Sequence, residues 1–255
     1  MPRPSNAINH EVDYIWGRHP VAEALSVSGR VLRILIAKGT RETADLTETM
    51  LLAEREHVPV EQVNRERLDQ LARGANHQGI AAVVAPWQYH EVDELLALAI
   101  QRGEPPFLLA LDSVQDVHNL GSLIRTAEAV GAHGIIIPEH RAAGITPAVV
   151  KSSAGAIEHM LVAQVTNLAR TLADLKQRNI WCVGLAGEAR DELGKVDLSG
   201  PLTLVVGSEG KGLGRLVGEQ CDVLLRLPMR GKINSLNAAI AGSIALYAAW
   251  QARAK

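Results

Sequence analysis

Short apolar runs and amphipathic stretches alternate along most of the chain. Runs rich in β-branched residues and leucine, such as 107–111 and 202–206, predict buried strands. Stretches in which apolar residues recur at helical spacing, such as 168–178, predict helices between them. Strands that alternate with helices are typical of βαβ units, so the pattern predicts an α/β protein built on a parallel sheet.

The pattern divides the chain into two parts. In the first part it predicts strands at 31–37, 58–63 and 79–85 and helices at 17–29, 42–57 and 65–72. In the second it predicts strands at 107–111, 135–138, 180–185, 202–206 and 223–227 and helices at 122–130, 146–154, 168–178 and 238–250. Between them, 86–106 holds a helical stretch and then Gly103, Pro105 and Pro106, which favour a loop. We therefore predict a small domain at 1–85, a linker at 86–106 and a larger domain at 107–255.

Composition and charge narrow the possible partners. The formal net charge of the 255 residues is -2, so a nucleic-acid surface would have to be a local patch. Cys182 and Cys221 have no partners at ligand spacing, which predicts thiols in a reducing compartment. The first residues lack the apolar core of a signal peptide, and the apolar stretch within 233–250 is too short to span a bilayer. These features predict a cytoplasmic protein with no membrane partner.

Common ligand-binding motifs are missing from the sequence. No G-x-G-x-x-G follows a predicted strand, and Gly231-Lys232 lacks the Ser or Thr that a P-loop needs next. There is no H-E-x-x-H pair and no G-x-S-x-G elbow, and the histidines are scattered. The sequence therefore predicts neither a dinucleotide fold nor a metal site.

Three polar motifs remain, each at the end of a predicted strand. They are D-x-V-x-D-x-x-N-L-G-x-x-x-R-T-A at 112–127, V-V-G-S-E-G-K-G-L at 205–213 and L-P-M-R-G-K-I-N-S-L-N at 227–237. Taken singly, each has a structural explanation: Asn119 as a helix N-cap, Glu209 as a solvated carboxylate, Ser235 and Asn237 as caps of the last helix. Because α/β sheets bind ligands at the carboxyl ends of their strands, the three together indicate a functional site.

The three motifs closely resemble those of the SpoU-type RNA 2′-O-ribose methyltransferases of the SPOUT superfamily, and the resemblance covers nearly the whole chain. The N-terminal part, with G-R-H-P-V-x-E-A-L at 17–25 and N-H-Q-G at 76–79, is similar to the family's small RNA substrate-binding domain. The resemblance implies a C-terminal knotted (trefoil) parallel-sheet methyltransferase domain. It also implies S-adenosylmethionine as the methyl donor, without a metal. The helix predicted at 238–250 is rich in Ala and Gly and apolar over much of its circumference, which predicts a homodimer; burial in the core of a monomer is the alternative.

The resemblance also assigns roles to individual residues. It makes five residues catalytic: Asn119, Arg125, Glu209, Ser235 and Asn237. The residues it places around S-adenosylmethionine are Gly207, Leu227, Met229, Ser235 and Leu236. Backbone groups at strand ends need hydrogen-bond partners, so an adenine edge could pair with them. In the small domain, the side chains at element ends that we expect to contact RNA are Arg18, His19, Asn76, His77 and Gln78.

Two questions about the substrate stay open at this stage. Within the family, V-T-N-L-A-R-T at 165–171 is most like the bacterial 23S rRNA guanosine-2′-O-methyltransferase. A tRNA ribose methyltransferase is the first alternative, against which the extra N-terminal domain argues. A non-catalytic RNA-binding protein is the second. The intact polar motifs argue against it, as does the aromatic content of 3%, which is low for a base-stacking module.

Overall fold

The computed structural model describes residues 13–232 and 235–254, and the chain divides into two compact units between Trp87 and Gln88. The first twelve residues of the predicted small domain, and Ile233 and Asn234 of the third motif, lie outside the described residues. Each unit has its own sheet, as expected of an α/β protein with two parts. The boundary lies inside the segment that the sequence predicts as a linker.

The first unit is a small mixed sheet with three helices. Its elements are β1 (Asp13–Trp16), α1 (Arg18–Ser26), β2 (Val31–Ala37), α2 (Ala44–Arg55), β3 (Val60–Val63), α3 (Arg65–Leu71) and β4 (Ile80–Val84). The strand order is β1-β4-β2-β3, with β2 and β3 parallel and the other two pairs antiparallel. Leu35 and Leu68 lie in a buried cluster between this sheet and α3. The unit thus has a core of its own.

The second unit is a seven-stranded parallel sheet flanked by helices. Its strands are β5 (Phe107–Asp112), β6 (Gly134–Pro138), β7 (Val162–Val165), β8 (Trp181–Leu185), β9 (Asp191–Glu192), β10 (Leu202–Gly207) and β11 (Val223–Arg226). The order is β7-β6-β5-β10-β8-β11-β9, and every pairing is parallel. Both central strands, β5 and β10, are buried at every residue, which explains their continuous apolar sequence.

The described residues of this unit form six α-helices. They are α4 (Val92–Arg102), α5 (Val117–Ala129), α6 (Pro147–Ser152), α7 (Leu168–Gln177), α8 (Arg215–Gln220) and α9 (Ala238–Arg253). The last helix, α9, packs on α5 and β10, where Gly242 permits the close approach: an added Cβ would lie 2.5 Å from Leu123. The trefoil knot implied by the family resemblance stays a prediction.

Several elements differ from those that the sequence pattern predicts. Helix α5 begins at Val117 rather than Ser122, because Asp116 caps it. The pattern misses β1, β7, β9 and α8, which are short. Helix α4, inside the predicted linker, belongs to the second unit, where its Leu95 is fully buried. This part of 86–106 is therefore structured by packing on the sheet.

Arg253 fastens the end of α9 to the amino-terminal edge of the large sheet. Its guanidinium donates hydrogen bonds to the carbonyls of Pro105, Ser199 and Gly200, and it lies 5.0 Å from the centre of the Phe107 ring. We expect Arg253→Ala to lower the free energy of unfolding by about 2–4 kcal/mol, because charged hydrogen bonds contribute about 1.5–3 kcal/mol each and are not additive.

Urea denaturation measures this effect, and Arg178→Ala is the matched control. Arg178 also makes an ion pair, with Asp93, but both side chains are at least half exposed. Exposed pairs contribute about 0–1 kcal/mol, so the control should lose little. Equal losses in the two variants would contradict the anchoring role of Arg253.

Candidate active site

Four adjacent strands bring the three polar motifs to one edge of the large sheet. Strands β5, β10, β8 and β11 are neighbours and parallel, so their carboxyl ends lie side by side. The first motif follows β5, the second follows β10 and the third follows β11. This is the edge at which open α/β sheets bind ligands.

In the first motif, Asp116 rather than Asn119 is the cap of helix α5, so the side chain of Asn119 is not used in capping. Asp116 Oδ1 accepts hydrogen bonds from the backbone N–H groups of His118 and Asn119, at 2.9 and 2.8 Å. Asp116 is therefore the N-cap of α5, and the structural explanation that made Asn119 the cap is wrong. Asn119 lies in the first turn, with its side chain available at the carboxyl edge of the sheet.

The second motif is a tight loop that returns on itself. Ser208 and Gly212 exchange two backbone hydrogen bonds of 3.1 and 3.0 Å. The turn between them uses left-handed backbone at Gly210 and Gly212. At Gly207 the returning chain passes so close that an added Cβ would lie 2.2 Å from the carbonyl carbon of Gly212. The loop that carries Glu209 is thus held in one shape.

A buried carboxylate fixes the far end of this loop. Asp112, the last residue of β5, accepts a 2.6 Å hydrogen bond from the backbone N–H of Gly214 through Oδ2. Its Oδ1 accepts the Ser113 hydroxyl at 3.0 Å. Both oxygens therefore have partners, which compensates for the burial of the group. Asp112 joins the first motif to the end of the second.

A chain of side-chain hydrogen bonds connects all three motifs. Asn119 donates through Nδ2 to Glu209 Oε1, across a separation of 90 residues. Asn237 donates through Nδ2 to Asn119 Oδ1 at 3.0 Å, across 118 residues. Asn237 also accepts, through Oδ1, the backbone N–H groups of Ala239 and Ile240, so it is the N-cap of α9 as the sequence suggested. Asn119, Glu209 and Asn237, one residue from each motif, are thus connected by hydrogen bonds.

The other two predicted catalytic residues do not join this chain. Arg125 is exposed, and no described side chain hydrogen-bonds or pairs with its guanidinium. It lies six residues after Asn119 on α5, which places the two side chains about 120° apart around the axis and about 9 Å apart along it. Ser235 is exposed beside the described end of the third motif, again without a described partner. Both side chains are exposed, and neither belongs to the connected triad of Asn119, Glu209 and Asn237.

The predicted cofactor residues occupy the ends of β10 and β11. Gly207 ends β10, while Leu227 and Met229 follow β11. No described group hydrogen-bonds the backbone of Leu227 or Met229, and Met229 is 37% exposed. Leu236, just before α9, is partly buried. Free backbone donors and acceptors beside apolar side chains form a surface suited to a planar, hydrogen-bonding ligand.

One segment at this edge lies outside the three motifs and was not predicted from the sequence. Strand β8 lies between β10 and β11, so Ala186, Gly187 and Glu188, which follow it, lie between two predicted ligand loops. An added Cβ at Gly187 would have no atom within 4 Å, so this backbone faces open space. A glycine two residues after the end of a strand was the available signal, but the segment belongs to none of the three motifs.

In the first unit, the predicted RNA-contact residues differ in accessibility. His77 is only 3% exposed: its Nδ1 accepts the Gly79 N–H at 3.0 Å and its Nε2 contacts Asp69 at 3.0 Å. His77 therefore holds a turn and is not available to RNA, which corrects that prediction. The guanidinium of Arg18 also has partners in the protein: it donates hydrogen bonds to Thr43, Asp45 and the carbonyl of Arg41.

The remaining three residues of this set lie at the surface. Gln78 accepts the Arg18 N–H through Oε1 at 3.0 Å, and Asn76 accepts the Gln78 N–H at 3.2 Å. His19 is exposed, and no described residue hydrogen-bonds or pairs with its ring. His19, Asn76 and Gln78 stay predicted RNA contacts.

Other chemistries find little support in the described part of the chain. Residues 13–232 and 235–254 contain no group of three or more His, Cys, Asp or Glu placed to hold a metal ion. Burial raises the pKa of the Cys182 and Cys221 thiols to about 12, so neither is a thiolate nucleophile at neutral pH. Within the same residues, no helix is both long and apolar enough to cross a bilayer.

Comparison with known families finds matches to both parts of the chain. Residues 106–247 match the model of the SpoU rRNA methylase family. Residues 14–90 match the model described as RNA 2′-O ribose methyltransferase substrate binding. YacO of Bacillus subtilis, placed in the TrmH family of tRNA/rRNA methyltransferases, is 46% identical over 246 residues, which cover 96% of this chain and 98% of that protein.

Solved structures agree in fold. The SpoU methyltransferase AviRb from Streptomyces viridochromogenes superposes with a TM-score of 0.79 at 25% identity, over 95% of this chain and 90% of that one. The same enzyme was also solved with the cofactor AdoMet. An AdoMet-bound rRNA methyltransferase from Sinorhizobium meliloti gives a TM-score of 0.74 at 23% identity, over 94% and 87% of the two chains.

Proposed function

This chain belongs to the SpoU rRNA methylase family of RNA methyltransferases, and on that premise we propose that it methylates the 2′-oxygen of a ribose in RNA. The methyl donor would be S-adenosylmethionine, and the favoured target is a guanosine of 23S rRNA. The observation that carries the proposal is the hydrogen-bonded chain from Glu209 through Asn119 to Asn237, which joins the family's three motifs. The substrate-binding match at 14–90 supports the ribose 2′-oxygen as the acceptor.

The residues at the carboxyl edge fit the methyl donor. The free backbone groups of Leu227 and Met229 can pair with an adenine edge, while Gly207, Ser235 and Leu236 complete the surrounding surface. When bound, S-adenosylmethionine supplies a methyl group on a positively charged sulfur. AviRb and the Sinorhizobium meliloti enzyme, which share this fold, were each solved with AdoMet. No metal is needed for this transfer.

The protein's part in the reaction is to align the acceptor ribose and to manage its proton. Holding two reactants in line supplies up to about 7–11 kcal/mol of the barrier reduction. Exposed Arg125 has the planar fork that suits an RNA phosphate, so we assign it to hold the ribose in place. Ser235, exposed beside Leu236, has a hydroxyl that can hydrogen-bond either substrate.

Gly207 offers a direct test of the cofactor site. We expect Gly207→Ala to weaken S-adenosylmethionine binding by at least about tenfold, because the added methyl would collide with the backbone of Gly212 and reshape the loop. Calorimetry with and without a chelator measures the affinity. Gly218→Ala is the matched control, since no atom lies within 4 Å of its added Cβ. Unchanged binding in Gly207→Ala, or dependence on a divalent ion, would reject the site.

The choice of rRNA over tRNA rests on the first unit. A tRNA-modifying TrmH/SpoU enzyme of A. aeolicus superposes on only 58% of this chain, whereas the rRNA methyltransferase of Sinorhizobium meliloti superposes on 94%. An enzyme with the additional substrate-binding unit therefore fits the rRNA group better. A tRNA substrate is the second candidate.

The test is a methylation assay with purified protein and labelled S-adenosylmethionine. Unmodified 23S rRNA and unmodified tRNA are offered separately, and the product is mapped as an alkali-resistant 2′-O-methyl linkage. We expect label in 23S rRNA alone. Label in tRNA alone would favour the second candidate, and base methylation would refute the 2′-oxygen. A protein that binds RNA without transferring label would be the non-catalytic alternative.

We further propose that the enzyme is a homodimer formed through α9. Ile240, Ile244, Tyr247 and Trp250 make an apolar stripe along one side of this helix, and each is 43–52% exposed. Tyr247 and Trp250 stack edge to face with centroids 5.9 Å apart. A continuous apolar stripe of this kind is typical of a surface that another protein covers.

A charge placed on the stripe should separate the dimer. We expect light scattering to report a dimer for the wild-type protein at micromolar concentration and a monomer for Ile244→Glu, since burying an unpaired carboxylate is costly. Leu51→Glu is the control: Leu51 is also an exposed apolar helix residue, 62% exposed on α2. A monomeric wild-type protein would rule out the dimer.

A further inference from the structure

The reaction proposed above releases one proton, and an acceptor for it has to be found. The ribose hydroxyl loses its proton as its oxygen forms a bond to the methyl carbon, and the bond from that carbon to sulfur breaks with its electron pair left on sulfur. An arginine guanidinium stays protonated in proteins, so Arg125 is a poor acceptor. Which other group can take the proton depends on how the triad is oriented.

The N-cap of α9 settles the direction of every hydrogen bond in the triad. The backbone N–H groups of Ala239 and Ile240 can only donate, so the side-chain atom of Asn237 that faces them is its oxygen. The amide nitrogen of Asn237 must then face Asn119 and donate to its oxygen at 3.0 Å. The amide nitrogen of Asn119 consequently donates to Glu209. Amide orientations are otherwise ambiguous, but here the helix backbone fixes them.

This direction requires Glu209 to act as an acceptor. Glu209 receives the Asn119 N–H through Oε1. No described residue donates to its second oxygen, Oε2, and the side chain is exposed. The loop that carries Glu209 is closed by the Ser208–Gly212 pair and by the close approach at Gly207. The free oxygen is therefore held at the site on a loop of fixed shape.

The carboxylates of the first motif are not hydrogen-bonded to the side chains of the triad. Both oxygens of Asp112 have partners. Asp116 accepts two backbone N–H groups through Oδ1 as the cap of α5, and although its Oδ2 has no described partner, no side chain of the triad orients it. His118 is the remaining candidate, because it is exposed and no described residue hydrogen-bonds or pairs with its ring. It lies one residue before Asn119 on α5, however, and successive helical side chains point about 100° apart. Glu209 is thus the acceptor that the triad itself orients.

We propose that Glu209 is the catalytic residue that takes the 2′-hydroxyl proton, on Oε2, and that Asn119 and Asn237 are positioning residues. The inference rests on the proposed 2′-O-methyl transfer. A carboxylate is a weak base toward a free alcohol, but the oxygen becomes positive and its O–H far more acidic as the bond to carbon forms. Transfer to a carboxylate then suffices, and the resulting carboxylic acid returns its proton to water.

The experiment compares Glu209→Gln and Glu209→Ala in single-turnover methylation of the RNA that the wild-type enzyme modifies. Glu209→Gln can keep an oxygen toward Asn119, so we expect its RNA and S-adenosylmethionine affinities to stay within about threefold. Its transfer rate should fall by about 10²–10⁴-fold, the usual contribution of a general base. Sodium formate should raise the rate of Glu209→Ala at least about tenfold in a saturable manner, because formate supplies the missing carboxylate.

Two further measurements make the outcome decisive. His118→Ala should stay within about threefold of the wild-type rate. In the ligand-free protein, the side-chain NH₂ signal of Asn119, identified by its loss in Asn119→Asp, should shift in Glu209→Ala if the triad exists in solution.

A Glu209→Gln variant that transfers at more than a tenth of the wild-type rate would overturn the proposal. Failure of formate to raise the rate of Glu209→Ala would overturn it as well. So would a His118→Ala variant whose transfer rate falls by more than about threefold from the wild-type rate. If the wild-type enzyme methylates no ribose in the same assay, the proposed function fails and this inference fails with it. If the wild-type enzyme methylates a ribose but the variants give any of these contradicting results, only the role of Glu209 is rejected and the proposed function stands.

Discussion

Asn119→Asp is expected to reduce the rate of methyl transfer by about 10²–10³-fold without unfolding the protein. The substitution keeps the shape of the side chain but replaces the amide N–H that now donates to Glu209 with a carboxylate oxygen. Two carboxylates would then face each other at hydrogen-bond distance, so one must protonate or turn away. Loss of one aligned donor at an active site commonly costs a factor of this size.

Single-turnover kinetics and calorimetry together check this expectation. S-adenosylmethionine affinity should change by less than about threefold, since Asn119 is not among the residues assigned to the cofactor surface. The control is Asn167→Asp, which is equally isosteric: Asn167 caps α7 by accepting the Arg170 N–H at 3.0 Å, and aspartate caps helices as well as asparagine. If both variants keep the wild-type rate, the triad has no part in catalysis.

The expectation depends on contacts that no periodicity in the sequence could have predicted. Asn119 contacts residues 90 and 118 positions away along the chain, and only the strand order places those segments together. The apolar pattern predicted both central strands because β5 and β10 are buried on both faces and therefore read as continuous apolar runs. From parallel strands one can expect the motifs to share an edge, but not which side chains touch.

The errors of the sequence reading have physical causes. The pattern placed the start of α5 too late because its first turn, Val117 to Gly121, includes polar His118 and Asn119, and a cap by Asp116 is not visible in hydrophobic periodicity. His77 was expected to reach RNA because it lies at the end of an element, yet its ring is buried, where Asp69 and the Gly79 N–H satisfy both ring nitrogens. Strand β7 has four residues and α8 has six, too few to show a period.

Arg125→Ala is expected to reduce methylation by about 10²–10³-fold through weaker and misaligned RNA binding. The guanidinium is exposed and has no partner among the described residues, so it is available to a phosphate. Removing one phosphate contact should lower the slope of log K for RNA against log salt by about 0.7–0.9. S-adenosylmethionine binding should not change. Arg178→Ala is the control, because Arg178 is also exposed but already pairs with Asp93.

Arg125→Lys separates a phosphate contact from a proton acceptor. Lysine keeps the charge but not the planar fork, so a phosphate contact predicts weaker RNA binding and a rate that does not recover as pH rises. A proton acceptor predicts the reverse, because an amine with a reference pKa of about 10.4 loses its proton more easily at high pH. A lysine variant that binds RNA normally and regains its rate with rising pH would show that the residue at position 125 accepts the proton. We therefore expect Arg125 to hold the ribose through its phosphate. The proton goes to the carboxylate of Glu209, which Asn237, the N-cap of α9, orients through Asn119.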